Sequence, residues 1–463
     1  MEQLLQSYDL SHPHVTVSIL KTDGGRIYYK LSEPAVSLEK QLLFQKILAL
    51  LEDSFNPDLF EKENEDEGAA VQKEISRLLK IYSVRLPEDE LNILNYYIRR
   101  DFSGFGKIQP LLEDQNIEDI SCSGGNLPIY IFHRLYGSVQ TNILLSTDET
   151  NLSVRKMAQR SGKQISVAEP MTDAVLPDGS RVQLTLGSEI TTKGSTFTIR
   201  RFNENPLTPS ELVQKETFAA EIMAYLWLCV ESEMNLMFAG GTASGKTTSL
   251  NAVCRFIPID KKVVSIEDTR EINLPHLNWI SGVSRERQKS SNAGKTDGDI
   301  TLYDLLKASL RQRPEYILVG EIRGSEAYVL FQAMSTGHTT VSTMHAESVD
   351  TLIHRLENPP MNVPRVMIQT LDVLVILAQT EEEGHFSKKC LSVHEILETD
   401  PQTSEILTLE IFNRNRPAEK LYLEKSAVLE KTRIRKGWTL EKLKEEFSRR
   451  VSILQSQSAG ETK

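Results

Sequence analysis

Met237-Phe-Ala-Gly-Gly-Thr-Ala-Ser-Gly-Lys-Thr-Thr-Ser-Leu250 is the stretch on which the reading of the chain turns. Gly240, four residues, then Gly245-Lys246-Thr247 is the spacing of a phosphate-binding loop. An apolar run, Leu236-Met237-Phe238-Ala239, precedes it and predicts a buried parallel strand; Thr248 to Phe256 reads as the helix that follows. In that setting the backbone of Gly240, Gly241, Thr242, Ala243, Ser244, Gly245, Lys246, Thr247 and Thr248 would wrap an anion, with amides and the positive helix end facing it. Lys246 would reach the β- and γ-phosphates, and the Thr247 hydroxyl would hold Mg²⁺. The plain alternative is a glycine-rich strand-to-helix turn. The complete pattern between strand and helix argues against it.

Working outward, strand and helix patterns alternate beyond the loop, as a parallel sheet requires. Lys262–Ile266, Tyr316–Val319, Thr339–Thr343 and Val373–Leu377 are short buried-strand candidates. Ser284–Asp299 is polar and reads as a loop, and Thr439 opens an amphipathic helix with Leu440, Leu443, Phe447, Val451 and Leu454 at helical spacing.

Upstream, Val15, Val17 and Ile19 alternate with polar residues, turn at Asp23-Gly24-Gly25, and resume at Ile27, Tyr29 and Leu31, a hairpin pattern. Helix patterns follow from Ser37, near Val71–Tyr82 and over Glu88–Asp101, with the acidic run Glu61–Glu67 as a solvated linker. From Ile117 the texture changes to short strands around a helix at Asn151–Ser161, which predicts a small α+β domain. The expected division is 1–100 (hairpin and helices), 101–203 (small α+β domain), 204–209 (linker), 210–438 (α/β phosphate-loop domain) and 439–463 (terminal helix).

At 463 residues, with 40% hydrophobic and 25% charged side chains, the chain has the make-up of a multidomain globular protein. A net charge of −11 argues against a protein that coats nucleic-acid phosphates. Cys122, Cys229, Cys254 and Cys390 lie too far apart for a zinc module or a disulfide framework, so a reducing compartment and no zinc are expected. The first residues lack the basic and apolar regions of a signal peptide, and Phe218–Val230 is too short and too charged at its ends to span a bilayer. The expectation is a cytoplasmic protein that meets a membrane only through a partner.

Phosphate chemistry needs acids at neighbouring strand ends. Tyr316-Ile-Leu-Val-Gly-Glu-Ile-Arg-Gly324 places Glu321 just past a buried strand, and Ser265-Ile-Glu-Asp-Thr269 places Glu267 and Asp268 at another. Either acid of the second pair would take a proton from an attacking water. Ser335-Thr-Gly-His-Thr-Thr-Val-Ser-Thr-Met-His345 puts His338 and His345 on either side of a polar strand. A metal site would need a third ligand that the spacing does not supply, so a γ-phosphate sensor is the better functional reading.

Gly-Gly-Thr-Ala-Ser-Gly-Lys-Thr-Thr, Ser-Ile-Glu-Asp-Thr-Arg-Glu, Gly-Glu-Ile-Arg-Gly and Thr-Gly-His…Thr-Met-His-Ala stand in the order of the Walker A, Asp box, Walker B and His box of the type II/type IV secretion ATPases, which the chain resembles. Ile117–Cys122, Ala168-Glu-Pro170, Leu176–Leu184 and Phe197–Phe202 look like the archaeal branch, which holds the archaellum motor and the archaeal secretion and pilus-assembly ATPases. The resemblance covers roughly residues 90 to 380. It implies a RecA-like phosphate-loop domain behind a small PAS-like α+β domain, using ATP and Mg²⁺ in a homo-hexamer. Glu267 would polarise the water, Glu321 would stand near Mg²⁺, and His338 and His345 would sense nucleotide state. Arg181, Arg200 and Arg201 would lend positive charge to the phosphates from the preceding domain, with Arg313 and Arg323 as lesser candidates. The partners implied are a polytopic membrane platform and, indirectly, pilin-like filament subunits, with no direct nucleic-acid contact. A nucleic-acid translocase is the rival, and would show strand binding that salt abolishes. A small-molecule kinase and an ATP-binding scaffold without turnover are further alternatives.

Overall fold

The structure, a computed structural model, describes residues 3–10, 15–54, 67–81, 84, 86–202, 206–285, 299–382, 385–400, 402, 405–415 and 425–460. Met1–Phe202 and Asn203–Lys463 form two compact units. The acidic run before Glu67 and the expected loop from 286 to 298 lie outside the described residues.

The first unit is built on one nine-stranded sheet. Its strands are β1 (Gln3–Asp9), β2 (Thr16–Lys21), β3 (Ile27–Ser32), β4 (Ile117–Cys122), β5 (Pro128–His133), β6 (Gly137–Leu144), β7 (Met171–Val175), β8 (Arg181–Thr185) and β9 (Thr196–Arg200). They run in the order β1-β2-β3-β6-β5-β4-β9-β8-β7. The helices are α1 (Leu38–Ser54), α2 (Glu67–Ile81), α3 (Glu88–Ile98), α4 (Gln109–Glu113) and α5 (Thr147–Arg160). Strand alternation buries Val17, Ile19, Ile120, Ile131, Val139, Val182 and Ile199 on one face, in a core shared with Leu111 of α4 and with Val154 and Met157 of α5. Helices α1, α2 and α3 pack through a separate small core of Phe44, Ile47, Ile75, Leu78, Leu94 and Ile98. The division expected at residue 100 falls inside this unit. The N-terminal hairpin joins the main sheet because Tyr28 and Tyr29 of β3 pair in parallel with Gln140 and Thr141 of β6, a pairing across more than a hundred residues that no local pattern announces.

In the second unit the strands are β10 (Leu236–Gly240), β11 (Val263–Glu267), β12 (Trp279–Val283), β13 (Tyr316–Ile322), β14 (Thr339–Met344), β15 (Val373–Glu382), β16 (His385–Thr399) and β17 (Ile406–Asn413). They form one sheet in the order β12-β11-β13-β14-β10-β15-β16-β17. The first six in that order are parallel; β16 and β17 extend it antiparallel. The helices are α6 (Pro209–Gln214), α7 (Ala220–Glu231), α8 (Lys246–Cys254), α9 (Leu302–Ser309), α10 (Glu326–Ser335), α11 (Val349–Glu357), α12 (Arg365–Ile368), α13 (Ala427–Lys436) and α14 (Leu440–Gly460).

Helices cover both faces, which is why the central strands read as unbroken apolar runs. Leu236 and Phe238 face α7, α8, α13 and α14, whereas Met237 and Ala239 face α9, α10 and α11. This doubly covered parallel sheet, with its glycine loop after a central strand, is the RecA-like α/β architecture. The terminal helix α14 belongs to it, laying Leu443, Phe447 and Leu454 into the same core as α7.

Candidate active site

Parallel strands deliver their functional groups to one edge, the carboxyl end. β10 ends at Gly240, whose φ of +155° and tight surroundings admit no side chain: a Cβ would lie 2.2 Å from the Leu377 carbonyl oxygen. Gly245, at φ +89°, turns the loop into α8. Lys246 opens that helix, nearly buried, and donates to the carbonyl oxygens of Gly240 (3.1 Å) and Gly241 (2.7 Å). Ser244 ties the loop to itself through Gly241 O at 2.9 Å, and the half-exposed Thr247 follows Lys246 at the helix start.

β11 and β13 are direct neighbours, in register from Val263↔Tyr316 to Ile266↔Val319. The next step places Glu267 against Gly320, where a Cβ would fall 3.1 Å from Glu267 Cγ. A side chain at residue 320 would crowd the acid. Glu267 is 2% exposed. Its Oε1 accepts the amides of Glu271 (2.8 Å) and Ile272 (2.9 Å), while Oε2 is buried with no partner. Burial outweighs those two amides and pushes its pKa up to about 7. A carboxyl poised near neutrality with one free oxygen is suited to taking up a proton. Asp268 is exposed and accepts from Ser284 Oγ at 3.0 Å, so the geometry selects Glu267 from the pair.

The register of β13 against β14 slips between Val319 and Ile322, and Glu321 stands in that irregularity. Its carboxylate meets Arg323 at 2.5 Å and lies 3.1 Å from His345 Nε2. Burial works to raise its pKa, but the hydrogen bond and charge of Arg323, with His345 and Lys246, hold it below the usual carboxylate range. His345 follows β14 and places Nδ1 3.5 Å from Lys246 Nζ. Burial, then the Lys246 charge, lowers the pKa of its ring against the opposing pull of Glu321. Glu267, Glu321, His345 and Lys246 thus gather at the end of four adjacent strands.

His338 does not join them. It precedes Thr339, which pairs with Tyr316 at the start of β13, so it sits at the opposite edge of the sheet from the loop. Six strand residues separate the two histidines, about 20 Å at 3.3 Å per residue; within one chain His338 cannot touch a phosphate held by Lys246. Arg313 also precedes β13 and shares that far edge.

The other three arginines lie in the first unit. Arg181 and Arg200 face each other across β8 and β9, with Asp119 opposite Arg200 on the other side. Arg201 is already used within its unit: its guanidinium donates to the carbonyl oxygens of Asp114 and Ile117, the latter at 3.2 Å, and burial lowers its pKa.

Two site residues escape sequence reasoning. Glu326, at the start of α10, accepts the amides of Arg323 (2.6 Å) and Gly324 (2.7 Å) and so fixes the turn that follows Glu321. An acid in the first turn of a helix is the signal for it. Lys388 of β16 lays its stem over Gly245, with Cδ 3.2 Å from where a Cβ would stand. No motif marks it.

Among the described residues, no three His, Cys, Asp or Glu side chains form a metal-holding group. All four cysteines are buried and free. No described helix is long and apolar enough to cross a membrane.

Compared with known proteins, residues 138–410 match the model of a family described as "Type II/IV secretion system protein". An uncharacterized protein of Methanocaldococcus jannaschii is 38% identical over 331 residues, 71% of this chain and 59% of the relative's own length. The type IV secretion system protein PtlH of Bordetella pertussis is 27% identical over 60% of this chain and 90% of its own. Among solved structures, the VirB11 ATPase of the Brucella suis type IV secretion system, crystallised with sulphate, matches 65% of this chain and 96% of its own at 23% identity, with a TM-score of 0.32.

Proposed function

Because the chain belongs to the type II/IV secretion system protein family, we propose that it hydrolyses ATP with Mg²⁺ and acts as a hexameric ring motor for a pilus-like filament, the archaellum included, or for a secretion machine. The observation that carries the reading is the convergence of Lys246, Glu267, Glu321 and His345 at one sheet edge. Its place in the archaeal branch rests on the Methanocaldococcus relative.

The loop amides and Lys246 would hold the β- and γ-phosphates. Mg²⁺ fits the residues present, since the Thr247 hydroxyl lies in the first turn of α8 and Glu321 is held as a carboxylate by Arg323. The ion would neutralise negative charge on the phosphate oxygens. Glu267, through its unpartnered Oε2, would accept a proton from the water that attacks the γ-phosphate. His345, between Lys246 and Glu321, would report whether that phosphate is present. Arg181 and Arg200 would approach the phosphates of a neighbouring protomer, and a polytopic membrane platform would receive the resulting movement. The protein would act in the cytoplasm at the inner membrane face, touching pilin-like subunits only indirectly and nucleic acid not at all.

Phosphate release from ATP with Mg²⁺, compared between the native chain and Lys246→Ala, tests this. The native chain is expected to release phosphate and the variant to lose nucleotide binding and release together. A native chain that binds ATP but never releases phosphate would leave a scaffold in place of a motor.

A further inference from the structure

The edge of the sheet is not level. β10 stops at Gly240 opposite Leu377 of β15. The β15–β16 pair continues past it without a register break, through Gln379↔Lys388, Thr380↔Ser387 and Glu381↔Phe386. Side chains therefore alternate strictly between two faces. Thr380 and Ser387 share one face, their hydroxyls 2.8 Å apart. Lys388, Phe386 and their partners Gln379 and Glu381 share the other.

That second face runs toward the phosphate loop. Cys390 lies on it, in the core with Leu250 and Val253 of α8. Two residues on, the Lys388 stem covers Gly245, with Cδ, Cβ and Cγ at 3.2, 3.6 and 3.7 Å from the position of an added Cβ. Another two residues on, about 7 Å along the strand, stands the half-buried Phe386, on the same face and farther along than the residue that covers Gly245. A nucleotide whose phosphates fill the loop has its base on one side of it, and this face offers an aromatic surface at that remove.

We propose that the face shared by Gln379, Glu381, Phe386 and Lys388 on β15 and β16 is the nucleoside-end subsite, with Phe386 stacking on a purine base and the Lys388 stem walling the space between base and loop. The inference rests on the reading of the loop as a nucleotide site. Stacking asks only for a flat ring and an open π-face, and does not depend on hydrogen bonds in the loop. Gln379 and Glu381 lie beside it with one amide and one carboxylate for the polar edge of the base or the ribose.

Binding of ADP and of inorganic tripolyphosphate, measured by calorimetry on the full chain, tests this. For Phe386→Ala the expected result is ADP weakened about tenfold or more with tripolyphosphate unchanged, and Phe386→Trp restoring ADP affinity. If Phe386→Ala binds ADP like the native chain, the subsite is overturned while the loop assignment stands. Equal loss of both ligands overturns it too, since the ring would then be supporting the loop. A native chain that binds neither ligand overturns the loop assignment along with it.

Discussion

His345 Nε2 stands 3.1 Å from a Glu321 carboxylate oxygen, and the other ring nitrogen stands 3.5 Å from the Lys246 ammonium. One side chain thereby connects the acid near the end of β13 to the lysine that follows β10.

His345→Ala should slow phosphate release at least about tenfold, the scale of a lost polar contact worth more than 1.4 kcal/mol in the transition state. His338→Ala, at the far edge of the same strand, should leave nucleotide affinity within about twofold. Paired steady-state rates and ADP titrations on the two variants distinguish the histidines.

Glu267 predicts a pH dependence of stability. Its folded pKa, about 7, lies above the ordinary carboxyl value of 4.5. The native state therefore holds this proton where the unfolded chain has lost it. The favourable contribution is complete below pH 4.5 and is lost as pH rises through 7, a change on the order of 3 kcal/mol. Glu267→Gln removes the titration. Urea denaturation at pH 5 and pH 8 should show the variant losing less stability than the native chain over that interval.

Gly240→Ala should destabilise the second unit by roughly 2 kcal/mol or more, because the methyl would press on Leu377 O and on Ser244 Oγ at 2.6 Å in a backbone conformation that L residues avoid. A fall in the denaturation midpoint without a change in slope would confirm it.

Glu395 is fully buried on β16 and organises the start of α13. It accepts from Tyr225 Oη at 2.8 Å, from Ser426 Oγ, and from the amides of Ala427 (2.8 Å) and Val428 (3.2 Å). Glu395→Ala strands all four donors, and a loss of about 3 kcal/mol is expected in the same assay.

Much of the second unit is legible in the sequence because its central strands are buried on both faces. Leu236–Ala239, Lys262–Ile266, Tyr316–Val319, Thr339–Thr343 and Val373–Leu377 each predict a strand that the structure contains. Glu267 and Glu321 are legible for the same reason, since each ends such a run. What sequence spacing does not carry is which end of a strand a residue occupies in space. His338 and His345 look equivalent at seven residues apart, yet the strand between them sends one to the loop and one away. Edge and antiparallel strands also escape. β12 shows intermediate or exposed residues throughout, and β17 alternates too weakly to stand out. The role of Lys388 depends on β16 pairing beside β15, and the union of β3 with β6 on contacts distant in the chain; neither leaves a local trace.

The most direct measurement is single-turnover phosphate release from Mg²⁺-ATP by Glu267→Gln beside the native chain, with ATP affinity measured in parallel. Gln keeps the shape at the Gly320 contact and removes the proton acceptor. The account predicts unchanged affinity and release slowed by at least about 10²-fold. Release at the native rate would contradict it.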